Sequence, residues 1–94
     1  MSEWAELEQA VARQDDCLLA MLNGEPPPVR AITGLPPWRA VMVARIGLRL
    51  GVVREDAVAL LVAEANRVGG SGTLARSPGL RYALRPPEAE EEQG

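Results

Sequence analysis

A mainly helical domain closed by a small C-terminal β-hairpin is the fold class that this sequence predicts. Three observations carry the prediction. Apolar residues recur at three- and four-residue spacing over residues 3–22, 37–50 and 56–68. Glycine stands at the end of each stretch, where chains leave a helix. After Gly69-Gly70-Ser71-Gly72, two short segments flank Ser77-Pro78-Gly79, whose proline and glycine suit a tight turn. The 94 residues suffice for one domain over 1–85, and the acidic stretch 86–94 is expected to be a disordered tail.

The first helix is predicted over 3–22. Trp4, Leu7, Val11, Leu18 and Met21 fall on one stripe interrupted at Gln14. Asp15-Asp16 also suits the cap of a second helix, so one helix and two both fit the pattern. Asn23-Gly24 ends the segment, and Glu25-Pro26-Pro27-Pro28 is a stiff connector. A helix-turn-helix then spans 28–50. Its short helix, Val29 to Thr33, closes at Gly34, and its longer helix opens at Pro37, a residue suited to a first helical turn. Val52-Val53 is an apolar exit with the composition of a short strand. Glu55-Asp56 favour the start of an extra helix over 56–68. A hairpin over 72–85, with strands at about 73–76 and 80–84, ends at Pro86-Pro87.

The formal net charge of −3 hides a strong asymmetry. Residues 1–25 hold six acids and Arg13, a net of −5. Residues 26–87 hold nine arginines against Glu55, Asp56 and Glu64, a net of +6, and residues 88–94 hold four glutamates. A basic middle between acidic ends predicts a charged functional face. Arginine as a general solubilising residue is the plainer explanation of the same pattern.

Residues 18–53, LLAMLNGEPPPVRAITGLPPWRAVMVARIGLRLGVV, carry a resemblance. Thr33-Gly34-Leu35-Pro36 matches the turn, and Leu50-Gly51-Val52-Val53 the exit, of the winged helix-turn-helix domains of bacterial and phage regulators. The resemblance implies a recognition helix at 37–50 in the major groove and the hairpin as a wing. Two departures stand out. The helix at 56–68 separates the exit from the wing, and Gly47 replaces a larger aliphatic residue. Gly34 is expected to permit a sharp reversal, with Leu35 wedged behind it. Ala40, Val43, Gly47 and Leu50 share the arc of the wheel that would face the core.

The opposite arc holds Trp38, Met42, Arg45 and Arg49. On a recognition helix, Pro37, Trp38 and Met42 would lie near the bases, Arg39 and Arg45 suit guanine edges, and Arg49 suits phosphate. Arg30 on the short helix is a second phosphate candidate. Arg76, Arg81 and Arg85 would line the wing, along the backbone or minor groove. Trp38 and Met42 suit packing against the 56–68 helix or a partner chain equally well. The functional expectation is therefore duplex DNA binding by a small transcriptional or replication regulator, homodimeric through the N-terminal helix. A winged-helix module that docks another protein is the alternative, and a third possibility is that the acidic tail competes for the basic face.

Enzymatic chemistry is not expected. Cys17 has no histidine to activate it, since the chain has none, and suits a small buried position. The acid pairs are adjacent rather than facing. The Gly69-Gly70-Ser71-Gly72 stretch lacks the lysine of a phosphate loop. No cofactor or metal is implied, and no apolar run has the length of a membrane span, so a cytoplasmic protein without membrane contact is expected.

Overall fold

The computed structural model describes residues 2–69, 74 and 78–84. Helix α1 (Ser2–Leu22) runs unbroken through Asp15-Asp16. Continuity there follows from burial, because Ala10, Cys17 and Met21 share one face at spacings of seven and four and all enter the core. A break at Asp15 would turn Cys17 and Met21 away from it. Asn23-Gly24 ends α1 in a Schellman motif. Gly24 takes φ +82°, its N–H donates to Met21 O, and Glu25 N–H donates to Ala20 O at 2.9 Å.

Helix α2 (Val29–Thr33) and helix α3 (Pro37–Arg49) both start from prolines in extended backbone, Pro28 and Pro36. Neither proline offers a side-chain cap. Their carbonyls instead accept the first helical N–H groups, from Ala31 and Ile32 and from Arg39 and Ala40. Thr33 is buried and satisfied, its hydroxyl donating to Val29 O at 2.6 Å. Gly34 closes α2 in right-handed backbone, with φ −84°. A Cβ there would stand 2.6 Å from Arg13 Nε, so the flexible end of Arg13, which packs across the turn from α1, would have to shift to admit a side chain. Leu35 is fully buried in the wedge, as its position implied.

Ala40, Val43 and Gly47 face the core as the wheel requires, joined by Val41 and Ala44. Leu50 does not: it lies 51% exposed. It caps α3, and beyond it Gly51 at φ +79° closes a second Schellman motif, with Val52 N–H donating to Gly47 O at 2.9 Å. The reversal draws Val52 and Val53 into the core in Leu50's place, and they form a turn rather than a strand. Gly47 marks a close approach, not a weak point. A Cβ there would overlap a methyl of Val53 and stand 2.7 Å from Met21 Sδ of α1.

Helix α4 (Glu55–Val68) lays Ala57, Leu61 and Ala65 against α3 in the most extensive helix pairing of the domain. Glu55 and Asp56 occupy its first turn as expected. Helix α5 (Pro78–Ala83) overturns the hairpin. Among the described residues there is no strand, so the wing of a winged helix-turn-helix is not seen. The reason lies in the period. Strand alternation would align Leu80, Tyr82 and Leu84, but the buried residues are Leu80, Ala83 and Leu84, at helical spacing, with Arg81 and Tyr82 outside. Pro78 and Gly79 begin a helix instead of a turn, and α5 packs on α4. Arg54, before α4, places its guanidinium 5.8 Å from the Tyr82 ring centre and ties the two helices at the surface. The proposed first strand lies outside the described residues except for Leu74, which is buried, and the tail at 86–94 lies outside them too.

Two substitutions test this packing by urea unfolding. Gly47→Ala gains about 1 kcal/mol of helix propensity but overpacks the crossing, for an expected net loss of about 1–2 kcal/mol. Gly51→Ala forces an L-residue into the left-handed cap and loses about 1–2 kcal/mol. A more stable Gly47→Ala protein would contradict the close approach at this position.

Candidate nucleic-acid interface

The outward face of α3 is the complement of its core face. With Ala40, Val43, Ala44 and Gly47 turned inward, helical geometry turns Trp38, Met42, Arg45 and Arg49 outward, and all four are exposed. Trp38, at 47% exposure, and Met42, at 57%, are thus not covered by α4. Helix α3 carries Arg39, Arg45 and Arg49 and no acid. Among the described residues, Arg45 and Arg49 form no ion pair or hydrogen bond, and neither does Arg30, exposed on α2.

Other candidates fall elsewhere. Pro37 is fully buried in the first turn of α3, where its ring packs into the core and cannot reach a base. Arg39 is half-buried, and its Nη1 donates to Gln14 Oε1 of α1 at 3.4 Å, so it braces the start of α3. Arg81 is exposed on α5, not on a wing strand. Arg76 and Arg85 lie outside the described residues. The stripe on α3 and Arg30 on α2 are therefore what the fold retains of the expected interface.

An open groove of about 540 Å³ runs beside this stripe. Met42, Ile46 and Leu48 of α3 and Val58 and Ala59 of α4 give it apolar walls. Arg45, Arg49 and Glu55 also line it. The groove was not anticipated from the sequence. Its signal was present in Ile46 and Leu48, two large aliphatics lying off the core arc of α3 and left substantially exposed.

Cys17 is fully buried in α1, and burial, with a smaller contribution from the Asp16 carboxylate, pushes its thiol up from 9.0 to about 11. Its environment opposes the thiolate that a nucleophile needs. No helix among the described residues is long and apolar enough to cross a membrane.

Comparison of the chain with protein-family models, curated proteins and solved structures finds no match. The helix-turn-helix resemblance therefore rests on residues 18–53 of the sequence alone.

The thiol provides a further prediction. A rise from 9.0 to about 11 lowers the thiolate fraction near pH 8 by about a hundredfold, so Cys17 should react with Ellman's reagent at least that much more slowly in the folded chain than after denaturation. Because the folded value is raised, its contribution to stability is full below about pH 9 and is lost as pH rises toward about 11. Rapid labelling of the folded protein would contradict the burial of this face of α1.

Proposed function

We propose that the chain binds duplex DNA through the outward face of α3, as a small transcriptional or replication regulator. The observation that carries this reading is the pair Arg45 and Arg49. Both are exposed and unpaired among the described residues, on a helix without acids that follows a short helix and a tight turn. A recognition helix in such an arrangement lies in the major groove. At 13 residues α3 is about 20 Å long, enough to reach several base pairs.

The roles differ by position. Arg45, nearer the middle of α3, suits a bidentate contact to guanine O6 and N7, while Arg49 near its end and Arg30 on α2 suit phosphates. Trp38 and Met42 would lie against thymine methyl groups or the sugar edge. Binding on this reading uses α2 and α3 alone, without a wing. Few phosphates are then neutralised, and the overall charge of −3 adds no long-range attraction.

Fluorescence anisotropy with a labelled duplex at about 50 mM salt tests the reading. The two phosphate contacts of Arg49 and Arg30 predict a log–log salt slope of about −1.8. Arg45→Ala should weaken binding by about 1–3 kcal/mol, and Arg49→Ala should reduce the slope by about 1. No association at about 50 mM salt, or an Arg45→Ala/Arg49→Ala protein that binds as well as the parent, would overturn it.

A further inference from the structure

Two apolar surfaces of the molecule are left without a partner, and their charges are opposite. The first lies on α1. Trp4 to Gln9 are all exposed, and the helix enters the core after them, at Ala10. Trp4, Leu7 and Val11, 67%, 47% and 46% exposed, share one side of these turns at spacings of three and four. Glu8 and Asp15 border that stripe on one side, about 65° and 45° from its centre on the wheel. The second surface is the groove beside α3, where Met42, Ile46 and Leu48 stand with Arg45 and Arg49, whose two charges outweigh the one carboxylate of Glu55 on the same lining.

The two surfaces cannot meet within one chain. Gln14 lies beside Arg39 at the start of α3, and Met21 beside Gly47 near its end. The helices thus run alongside in the same direction, and the free turns of α1 overhang the N-terminal end of α3. The groove lies along the other half of α3, on the side away from Met21. Pairing of the α1 stripe with the same stripe of a second copy is also disfavoured. It would bring Glu8 and Asp15 of both copies to one seam, where like charges repel and no arginine of that stripe offsets them.

We propose that the free turns of α1 dock in the α3–α4 groove of a second copy, reciprocally, so that two such contacts build one two-fold dimer. Leu7 and Val11 enter the apolar part of the groove, and Glu8 and Asp15 face Arg45 and Arg49. A two-fold arrangement uses both unpartnered surfaces of each chain and leaves neither open for further growth. The inference does not depend on DNA being the ligand. It does make a dimer and a duplex compete for the same two arginines, with an acidic helix standing where phosphates would.

Sedimentation equilibrium of the full chain and two charge-reversed variants provides the test. The parent should dimerise, more weakly as salt is raised because the contact is partly ionic. Glu8→Arg/Asp15→Arg and Arg45→Glu/Arg49→Glu should each raise the dimer Kd by about tenfold or more. All four residues are exposed, so both variants should keep the parent's helical circular dichroism. Mixed in equal amounts, the two variants should recover the parent's affinity as a heterodimer, since both contacts then pair opposite charges. A parent that stays monomeric up to about 1 mM overturns the proposal, 1 mM being the Kd of only about 4 kcal/mol of binding energy. A dimer that survives the α3 reversal unchanged also overturns it, because α1 then meets some other surface.

Discussion

The crossing at Gly47 is the constraint on which the rest of the molecule depends. Here α3 approaches the end of α1 so closely that a single added carbon would overlap Val53 and stand 2.7 Å from Met21 Sδ. The same residue anchors the reversal after α3, because its carbonyl accepts the N–H groups of Val52 and Val53 at 2.9 and 3.2 Å. One glycine therefore sets the distance between two helices and the direction in which the chain leaves the second. The composition of the core suits this geometry. With no phenylalanine in the chain, small and branched aliphatics fill the interior, and backbones must come near one another to exclude water.

From that crossing the placement of the exposed face of α3 follows. Once Gly47, Val43, Ala44 and Ala40 are fixed inward, the rotation of the helix about its axis is fixed, and Arg45 and Arg49 must point out. The Val52–Val53 turn then swings α4 onto the flank of α3, and this pairing forms the groove. Basic and apolar character sit together on one surface as a result. It is a consequence of α4 occupying the place where a winged domain would begin its hairpin. Charge repeats this division along the chain: the acids of α1 and the arginines of α3 lie on separate surfaces, and the ion pairs Arg54–Asp56 and Arg67–Glu64 both belong to α4 and its N-cap.

Most of the helical framework was legible in the sequence, for reasons that differ by element. The helices over 29–33, 37–50 and 56–68 announced themselves through apolar period and through Gly34, Gly51 and Gly69 at their ends, and 3–22 was legible as helical up to Asn23-Gly24 although not as one unbroken helix. The outward stripe of α3 could be read as well, because one arc of a helical wheel excludes the other. Three features could not. Segment 78–84 is short and carries Pro-Gly, so it satisfies a turn followed by a strand as well as a first helical turn. Only the burial of Leu80, Ala83 and Leu84 decides for a helix. Pro37 was placed toward the ligand by its sequence position, although its ring faces the core. Leu50 shares the core arc of α3, but the arc stops mattering where the Schellman turn bends the chain away. In each case a tertiary contact decided between two locally acceptable conformations.

Native-state hydrogen exchange, followed residue by residue by NMR, tests the central claim about α3 most directly. If the Gly47 crossing holds the fold together, the amides of Val43, Ala44 and Gly47 exchange only through global unfolding. They should then share the highest protection in the molecule with Leu61 and Ala65 of α4, while residues 4–9 of α1 exchange through local fraying. Protection of the α3 amides no greater than that of residues 4–9, or lost well below the global unfolding free energy, would contradict it.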